Sequence, residues 1–423
     1  MTANLKGVMS SLNEGVSEAD LNLAEERLGW TLPTHLRLLY RFHNGQWLPF
    51  DEELNESLGV DDGRPSVLPK IRGSGISLGL LGGYCYYRSM TSSKLFSLQR
   101  AVQAGLATAE SFEGQHQSYF RACAGKWGTD LDTIRERGGF LLSASHDMSK
   151  RAWVSSDGNV RFDAKSPALW GVLDAAPVAP SENASADGSN SNLAGRGRAE
   201  GNLMTWLEEY LRRLQRGHYG VRARWEEPYM DADHGSGVPR GALRRRAGVW
   251  LFPQDGGQYC LTEVTKGVQI QVAPVFVPEA GSDHTDMLWA YSVRMQLLRD
   301  HPTRPQARFE ISASMSSCQL STRHWEINGQ EGFHREVTGN GVIGKYPLLK
   351  LAPPAAAGEG RGSYSSGGRL TPFEYESCTT LENPPGTMGG HFTFTPGSLS
   401  APTGPSFEVK VPTMDIVRPD FIF

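Results

Sequence analysis

A glycine-rich segment near residue 340 carries the sharpest chemical motif in the chain. Its residues, Gly339-Asn340-Gly341-Val342-Ile343-Gly344, have the GxGxxG spacing that lets backbone N–H groups approach a phosphate. A dinucleotide site also needs a following helix, and Pro347 blocks a long helix directly after the motif. We expect either an anion-binding loop or a structural tight turn between strands. The residues of the anion-binding alternative are Gly339, Gly341, Gly344, Lys345 and Arg323.

A second motif, Gly75-Ile76-Ser77-Leu78-Gly79, matches the GxSxG nucleophile elbow of hydrolases. That elbow requires a helix after the serine, and the adjacent Gly82 and Gly83 disfavour one. Downstream His116, His146 and Asp130 are nominal partners, but such residues occur by chance in a long chain. We keep hydrolysis through Ser77 as an alternative and predict no other catalytic residue.

The histidines and cysteines form no cluster at ligand spacing, so we predict no metal site and no cofactor. The five cysteines are widely scattered, which favours reduced and mostly buried thiols over disulfides. His324 precedes Trp325 in a strand-like segment, where successive side chains face opposite ways. One of the two is therefore expected inside and the other near the surface, with His324 as a structural histidine.

Length and amino-acid composition restrict the possible classes of protein further. The chain has 423 residues, 42 basic against 46 acidic side chains and a hydrophobic fraction of 39%, which predicts two or three folded domains. Its net charge of −4 argues against a nucleic-acid or anionic-membrane partner. The N-terminus lacks a signal-peptide core, and no apolar stretch approaches the roughly 20 residues that span a bilayer. We expect a cytoplasmic and/or nuclear protein.

The first part of the chain predicts an α+β domain over residues 1–172. Ser17 and Asp20 form a capping signature for a helix that Gly29 ends, and a second helix begins with Pro33 and stops at Asn44-Gly45. The segments ISLGLLGGYCYY, LFSL, GGFLLSAS and AWVSS then resemble strands broken by glycine turns.

The middle of the chain predicts connections. Bulky apolar residues nearly vanish over residues 173–201, which indicates a flexible linker. A helix with an apolar stripe from Leu203 to Leu214 follows, and we expect it to pack on a neighbouring domain. Residues 212–246 then hold nine arginines against four acids, either a nuclear-localisation or anion-binding patch or a solvated connector. Residues 202–257 are thus predicted to be a connecting helix and a basic loop.

From about Gln258 onward, apolar and polar residues alternate with period two. Val268, Ile270 and Val272 alternate with glutamines, and the segment from Trp289 to Leu297 repeats the pattern. FEYES, HFTFTPG and FEVKVP add further short strands. Strands joined by Gly/Pro turns with no helical period between them predict an antiparallel sandwich over residues 258–423.

Residues 258–423 also resemble an ApaG domain, a fibronectin-III-like or immunoglobulin-like β-sandwich. The resemblance lies in VQIQVAPVFVPE, WAYSVRMQL, SCQLSTRHWEI, REVTGNGVIGKYPLL, FEYESCTTL, PPGTMGGHFTF and FEVKVP, in the order of the family. It implies that the GxGxxG lies in a loop between strands, with Gly339, Gly341 and Gly344 near a pyrophosphate-like ligand. It implies no catalytic activity.

The N-terminal segment GVSEADLNLAEERLGWTLPTHLRLLYRFHNGQ, followed by SLGLLGGY, resembles a SUKH-type α+β binding module. The pairing with an ApaG domain, the WLEEYLRRLQRG helix and the terminal PDFIF is similar to the F-box only protein 3 family and its plant relatives that bind the Skp adaptor. The resemblance implies a non-enzymatic substrate adaptor of an SCF-type ubiquitin ligase, which recognises protein substrates in protein ubiquitination.

One departure from that family concerns the F-box, which is expected ahead of the SUKH domain. Residues 1–16 are too few to form it, so the F-box appears missing, through truncation or through loss of the ligase connection. A Skp-type adaptor and a cullin are expected as partners only if an F-box is present upstream. The alternative function is sensing of a small phosphorylated, pyrophosphate-like ligand by the ApaG domain.

Overall fold

A computed structural model gives the fold of most of the chain. The residues it describes are 9, 11–46, 76–87, 89–103, 139–145, 150–164, 171–177, 201–225, 245–254, 259–281, 287–298, 315–351 and 372–423. Within these ranges, no helix is both long and apolar enough to cross a bilayer.

Residues 98–103 of the first half are helical, and the elements whose two ends lie within the described ranges are three further helices and ten strands. In chain order they are β1 Leu12–Glu14, α1 Glu18–Leu28, α2 Thr34–Phe42, β2 His43–Gln46, β3 Ile76–Tyr86, β4 Ser89–Leu95, β5 Phe140–Ser145, β6 Arg151–Val154, β7 Val160–Ala164, β8 Gly171–Asp174, α3 Leu203–Gln215, β9 Gly220–Trp225 and β10 Arg245–Trp250.

Helix α1 begins and ends at the residues that the sequence indicates, whereas α2 ends at Phe42, before the expected Asn44-Gly45, because the chain is already extended at His43 and continues as β2. The Ser17 hydroxyl accepts the Asp20 N–H at 3.2 Å, and the Asp20 carboxylate accepts the Ser17 N–H at 2.9 Å. Gly29, with φ of 74°, ends α1 in the left-handed conformation. Helix α2 starts directly after Pro33 and buries Tyr40, whose hydroxyl donates to the Phe96 carbonyl oxygen at 2.7 Å.

One eight-stranded sheet organises this half, in the order β8-β7-β6-β5-β4-β3-β10-β9. Strand β10 pairs in parallel with β3, and β9 pairs with β10. The segment 202–257, interpreted from sequence as a connecting helix and basic loop, therefore supplies the last two strands of the N-terminal sheet. Val249 and Trp250 anchor β10 because both are fully buried. Residues 178–200 of the expected linker and 226–244 of the basic run lie outside the described residues.

The second half is a sandwich of two antiparallel sheets, as the period-two pattern predicts. Its strands are β11 Leu261–Thr265, β12 Val268–Gly281, β13 Met287–Leu297, β14 Ser317–Asn328, β15 His334–Asn340, β16 Leu348–Lys350, β17 Phe373–Leu381, β18 Gly386–Ser398, β19 Ala401–Pro402 and β20 Phe407–Ile416. One sheet has the order β11-β12-β13-β17. In the other, β14 and β18 are central, β15 and β16 pair with β14, and β19 and β20 pair with β18.

The core of the sandwich lies between the sheets. Trp325 of β14 packs against Tyr291 of β13, with ring centroids 5.4 Å apart, and edge-on against Phe392 of β18 at 5.5 Å. Strand β13 departs from strict alternation, because Ala290 and Ser292 are buried as well. Strands β13 and β17 also lie against β3, so the outer face of this sheet is covered by the N-terminal half.

A buried polar group that we name the joining cluster links the two halves. It consists of Glu279 of β12 with Tyr84, Thr91 and Lys150 of the N-terminal half. The Glu279 carboxylate accepts the Tyr84 hydroxyl at 2.6 and 2.7 Å and the Thr91 hydroxyl at 3.2 Å. The Lys150 ammonium lies 4.5 Å from the centre of the Tyr84 ring and interacts electrostatically with the Glu279 carboxylate. Both charged side chains are thus compensated within the chain.

The C-terminal residues form a second link, because they return from the sandwich to the N-terminal half. Ile422 donates its N–H to the Ala175 carbonyl oxygen at 2.9 Å and accepts the indole N–H of Trp206 at 2.6 Å. The Phe423 ring packs on Trp206 and on Tyr210 of α3. Helix α3 therefore buries its apolar stripe under the C-terminal segment.

Candidate functional site

A cavity of about 420 Å³ opens at one side of the sandwich, where β15 and β17 are the last strands of their sheets. Its apolar wall contains Tyr87, Trp325, Ile327, Val337, Val342 and Met388. Its polar wall contains Arg323, Arg335, Tyr291, Tyr375 and Ser377. Tyr87 follows β3 in the N-terminal half, so both halves of the chain line this cavity.

Strand register explains why two arginines point into the sandwich. Side chains alternate along a strand, so Arg323 shares the inward face of β14 with Trp325. On β15, Arg335 pairs with Ile327 and shares its face with Val337. The inward pattern of these strands thus includes a cation on each, at positions where a sandwich usually places apolar residues.

The guanidinium groups of both arginines bond to neutral oxygens. Arg323 donates from Nη1 to the Gly341 carbonyl oxygen at 2.8 Å and to that of Asn340 at 3.3 Å. Arg335 reaches from β15 to β17, where Nη2 donates to the Thr380 carbonyl oxygen at 2.9 Å and to the Thr379 hydroxyl at 3.2 Å. Among the residues that the structure describes, neither arginine forms an ion pair.

Two donors in the cavity wall are buried without a partner. The Tyr375 hydroxyl and the Nε–H of Arg335 are shielded from solvent, and neither has a hydrogen-bond partner in the described part of the chain. Burial raises the pKa of Tyr375 well above its ordinary value, so its hydroxyl is protonated and can donate at neutral pH. We name Arg323, Arg335 and Tyr375 the cavity cluster.

The glycine-rich motif forms a tight turn beside this cavity. After β15, Val342 and Lys345 exchange two backbone hydrogen bonds of 2.9 and 2.8 Å. The two residues between them, Ile343 and Gly344, both have positive φ, at 44° and 74°. This is the geometry of a two-residue hairpin turn of type I′. The structural alternative of the sequence analysis therefore describes the backbone correctly.

The structure brings four of the five predicted anion-site residues together. Gly339 lies opposite Arg323 in the β14–β15 ladder, and a Cβ added to it would lie 2.8 Å from Nη1 of that arginine. The Gly341 N–H donates to the Ser321 carbonyl oxygen at 2.9 Å, and Gly344 lines the cavity. The exposed Lys345 is not part of the lining. Gly339 thus makes room for the Arg323 guanidinium, and anion binding by this set stays a prediction.

Arg335, Tyr375 and Tyr87 were not among the predicted site residues. Arg335 could have been found from the sequence, because it lies two positions before Val337 and therefore on the same, inward face of the strand. Tyr375 gave none, since a buried tyrosine whose hydroxyl is bonded has the same sequence pattern. Tyr87 gave none either, because only the docking of the two halves places it at the cavity.

The other sequence motifs have structural positions. Ser77 lies inside β3, which continues as a strand to Tyr86, so no helix follows the serine as a nucleophile elbow requires. Trp325 is buried, whereas His324 stacks on His391 at 4.7 Å and lies 3.3 Å from the Glu326 carboxylate. The expected arrangement, with Trp325 inside and His324 nearer the surface, is thus confirmed, and a structural role of His324 stays a prediction. His116, Asp130 and His146 lie outside the described residues.

Comparison with known proteins agrees with this architecture. The ApaG domain family matches residues 279–354. Protein ApaG of Azorhizobium caulinodans is 31% identical over 156 residues, which cover 37% of this chain and 91% of that protein. Human F-box only protein 3 is 29% identical over 131 residues, which cover 31% of this chain and 22% of that protein. The C-terminal sandwich is therefore an ApaG domain.

A fuller match extends over the N-terminal half as well. F-box protein SKIP16 of Arabidopsis thaliana is 30% identical over 428 residues, which cover 100% of this chain and 77% of SKIP16. The chain belongs to the family of F-box protein SKIP16.

Proposed function

We propose that this protein is a non-catalytic recognition subunit of an SCF-type E3 ubiquitin ligase, which binds protein substrates in the cytoplasm and/or nucleus. One observation carries the proposal: the match to F-box protein SKIP16 covers 100% of this chain. Both halves, and not the ApaG domain alone, are therefore shared with an F-box protein. A Skp-type adaptor and a cullin join the complex only if an F-box is present upstream of the recognition domains.

The way the halves are joined supports a role in recognition. In this proposal, a SUKH-type module over residues 1–172 and the ApaG sandwich over residues 258–423 form one binding surface. The joining cluster and the buried Ile422 and Phe423 hold them together. A fixed surface binds a partner more tightly because less conformational freedom is lost on association. The cavity shared by Tyr87 and the sandwich is the candidate contact.

Affinity capture of the endogenous protein tests the proposal. An antibody against the synthetic peptide 180–200 leaves both chain ends untagged, which matters because Phe423 is buried. We expect mass spectrometry to find a Skp-type adaptor and a cullin in the captured complex. Capture of the protein without either one, under conditions in which a known F-box protein retrieves both, would refute the ligase role.

A second candidate function is the binding of a small phosphorylated ligand by the glycine turn. The observation in its favour is the Arg323 cation, which lies against this turn without an ion-pair partner among the described residues. Against it, the N–H groups of Gly341, Val342 and Lys345 already donate to carbonyl oxygens. Calorimetry with pyrophosphate tests it: this function requires binding heat that Arg323→Met abolishes, and absence of heat in the unaltered protein ends it.

A further inference from the structure

We propose that the cavity of the ApaG domain receives an acidic side chain of a protein partner, whose carboxylate accepts hydrogen bonds from Tyr375 and Arg335. The inference rests on the proposed function only in that the occupant belongs to a protein. It names the chemistry that the partner must present: a carboxylate beside an apolar residue.

Charge is the first argument. The guanidinium groups of Arg323 and Arg335 are half-buried and always protonated, yet neither has a carboxylate partner in the described part of the chain. Two other half-buried arginines do have one: Arg161 bonds Asp174 at 2.9 Å, and Arg213 bonds Glu209 at 2.6 Å. Two uncompensated cations around one cavity attract an anion, since a partly buried charge gains most from a partner where water is scarce.

Unused hydrogen-bonding capacity is the second argument. A buried donor without a partner costs free energy, and native proteins contain few of them. The Tyr375 hydroxyl and the Arg335 Nε–H are two such donors, and both residues line the same cavity. By contrast, the buried Tyr40 hydroxyl in the N-terminal half donates to the Phe96 carbonyl oxygen. An oxyanion that enters the cavity supplies acceptors for both unused donors at once.

The walls determine which anion fits. A carboxylate on an apolar stem matches a cavity lined by Trp325, Ile327 and Val337. A multiply charged phosphate needs more donors than these walls leave free, because Nη1 of Arg323 is engaged by two carbonyl oxygens. The single charge of Asp or Glu is the better match.

The mouth of the cavity indicates a protein as the source of that carboxylate. Tyr87 is 67% exposed and Ile343 is 43% exposed, although both line the cavity. An exposed aromatic and an exposed aliphatic side chain around a polar pocket form the kind of surface that buries an apolar neighbour of the anchoring residue. A free metabolite would leave these side chains in water.

Peptide selection tests the proposal. Random 12-residue peptides displayed on phage are selected against the intact chain, and the enriched peptides are synthesised with a fluorophore for anisotropy measurements. We expect a shared Asp or Glu next to an apolar residue, and an affinity loss of about tenfold when that acid becomes Asn or Gln. No enrichment, or enrichment without an acid, overturns the proposal.

Two variants locate the binding. Tyr375→Phe removes only the unpartnered hydroxyl, so we expect the fold to persist and the affinity for the acidic peptide to fall about fivefold or more. Tyr40→Phe is the matched control, because it removes a buried hydroxyl in the N-terminal half, and its affinity should equal that of the unaltered chain. Equal binding by Tyr375→Phe and the unaltered chain places the acid elsewhere and overturns the assignment.

Competition separates the two anion sources. We expect excess pyrophosphate at constant ionic strength to leave the acidic peptide bound. Displacement of the peptide by pyrophosphate would mean that the cavity takes a phosphorylated small molecule and would overturn the protein-side-chain inference. A protein that binds acidic peptides but captures no Skp-type adaptor keeps this inference and loses the ligase proposal, and the converse result does the reverse.

Discussion

Two buried polar clusters of this protein contain similar side chains but differ in whether their charges and hydrogen-bond donors have partners. The joining cluster places Glu279 among the hydroxyls of Tyr84 and Thr91 with the Lys150 ammonium near by, so donors and acceptor satisfy one another. The cavity cluster has two cations and a tyrosine but no carboxylate. Burial alone therefore does not distinguish the structural cluster from the candidate site. The balance of donors, acceptors and charges does, because a chain that leaves charge and donors unpartnered at a cavity is complementary to something outside itself.

Removing the acceptor of the joining cluster should give the largest effect. Glu279→Leu removes the buried carboxylate that accepts the Tyr84 hydroxyl and attracts the Lys150 ammonium, and we expect the free energy of unfolding to fall by about 3 to 5 kcal/mol. Urea unfolding measures it. The control is Glu408→Ala, because that carboxylate is 72% exposed and lies 3.7 Å from His391, a long distance for an ion pair; we expect a loss of less than about 0.5 kcal/mol. Equal losses would mean that the joining cluster is not a special contact.

The second largest effect should be a pH dependence of stability that comes from Lys150 of the joining cluster. Burial lowers the pKa of Lys150 from its ordinary 10.5 to about 8, against the opposing effect of Glu279. Between the pKa of Lys150 in the folded protein and its higher pKa in the unfolded chain, Lys150 is protonated mainly in the unfolded chain. Because the unfolded chain then binds more protons, the contribution of Lys150 makes stability rise with pH.

We therefore expect the stability difference between the unaltered protein and Lys150→Met to shift in favour of the former by about 2 kcal/mol from about pH 8 to about pH 9.5. Both proteins contain the same buried tyrosines, so the effect of tyrosine titration on stability cancels in this difference. Unfolding curves at several pH values measure the shift. A difference that stays constant over this range would show that Lys150 titrates as it does in water.

A methyl group at Gly339 should disturb the cavity cluster. Gly339→Ala places a Cβ 2.8 Å from Nη1 of Arg323, so the guanidinium must leave the Gly341 carbonyl oxygen. We expect a loss of about 1 to 2 kcal/mol in unfolding free energy, together with loss of acidic-peptide binding. Gly332→Ala is the control, since its φ of 78° imposes strain but nothing lies near its Cβ. Retained peptide binding in Gly339→Ala would separate Arg323 from the site.

The smallest expected effect is a gain in stability. Tyr375→Phe removes a buried hydroxyl that has no partner among the described residues, so we expect the unliganded protein to become more stable by about 1 kcal/mol. Tyr40→Phe should have the opposite sign, because its hydroxyl donates to the Phe96 carbonyl oxygen. Thermal unfolding of both variants measures the contrast. A loss of stability in Tyr375→Phe would mean that its hydroxyl is already satisfied.

Sequence reasoning succeeded where contacts are local and failed where they are not. The Ser17–Asp20 capping box and the left-handed Gly29 follow from residues a few positions apart, and both were correct. The basic segment was interpreted as a loop because its many arginines hide the pattern of the short strand Arg245–Trp250, which pairs with β3 and β9. Arg335 was missed because the pattern places it inward but cannot say whether a carboxylate meets it there.

The sequence by itself determined the sandwich, since alternation with period two fixes which side chain of each strand faces inward. It also offered a tight turn between strands as one of two alternatives for the glycine-rich motif. Only the tertiary structure decided that Arg335 and Tyr375 share a cavity with Tyr87, and that Glu279 has its donors whereas no carboxylate among the described residues pairs with the cavity cluster. The physical reason is that charge compensation depends on atoms a few ångströms apart in space, which come from strands far apart in the chain.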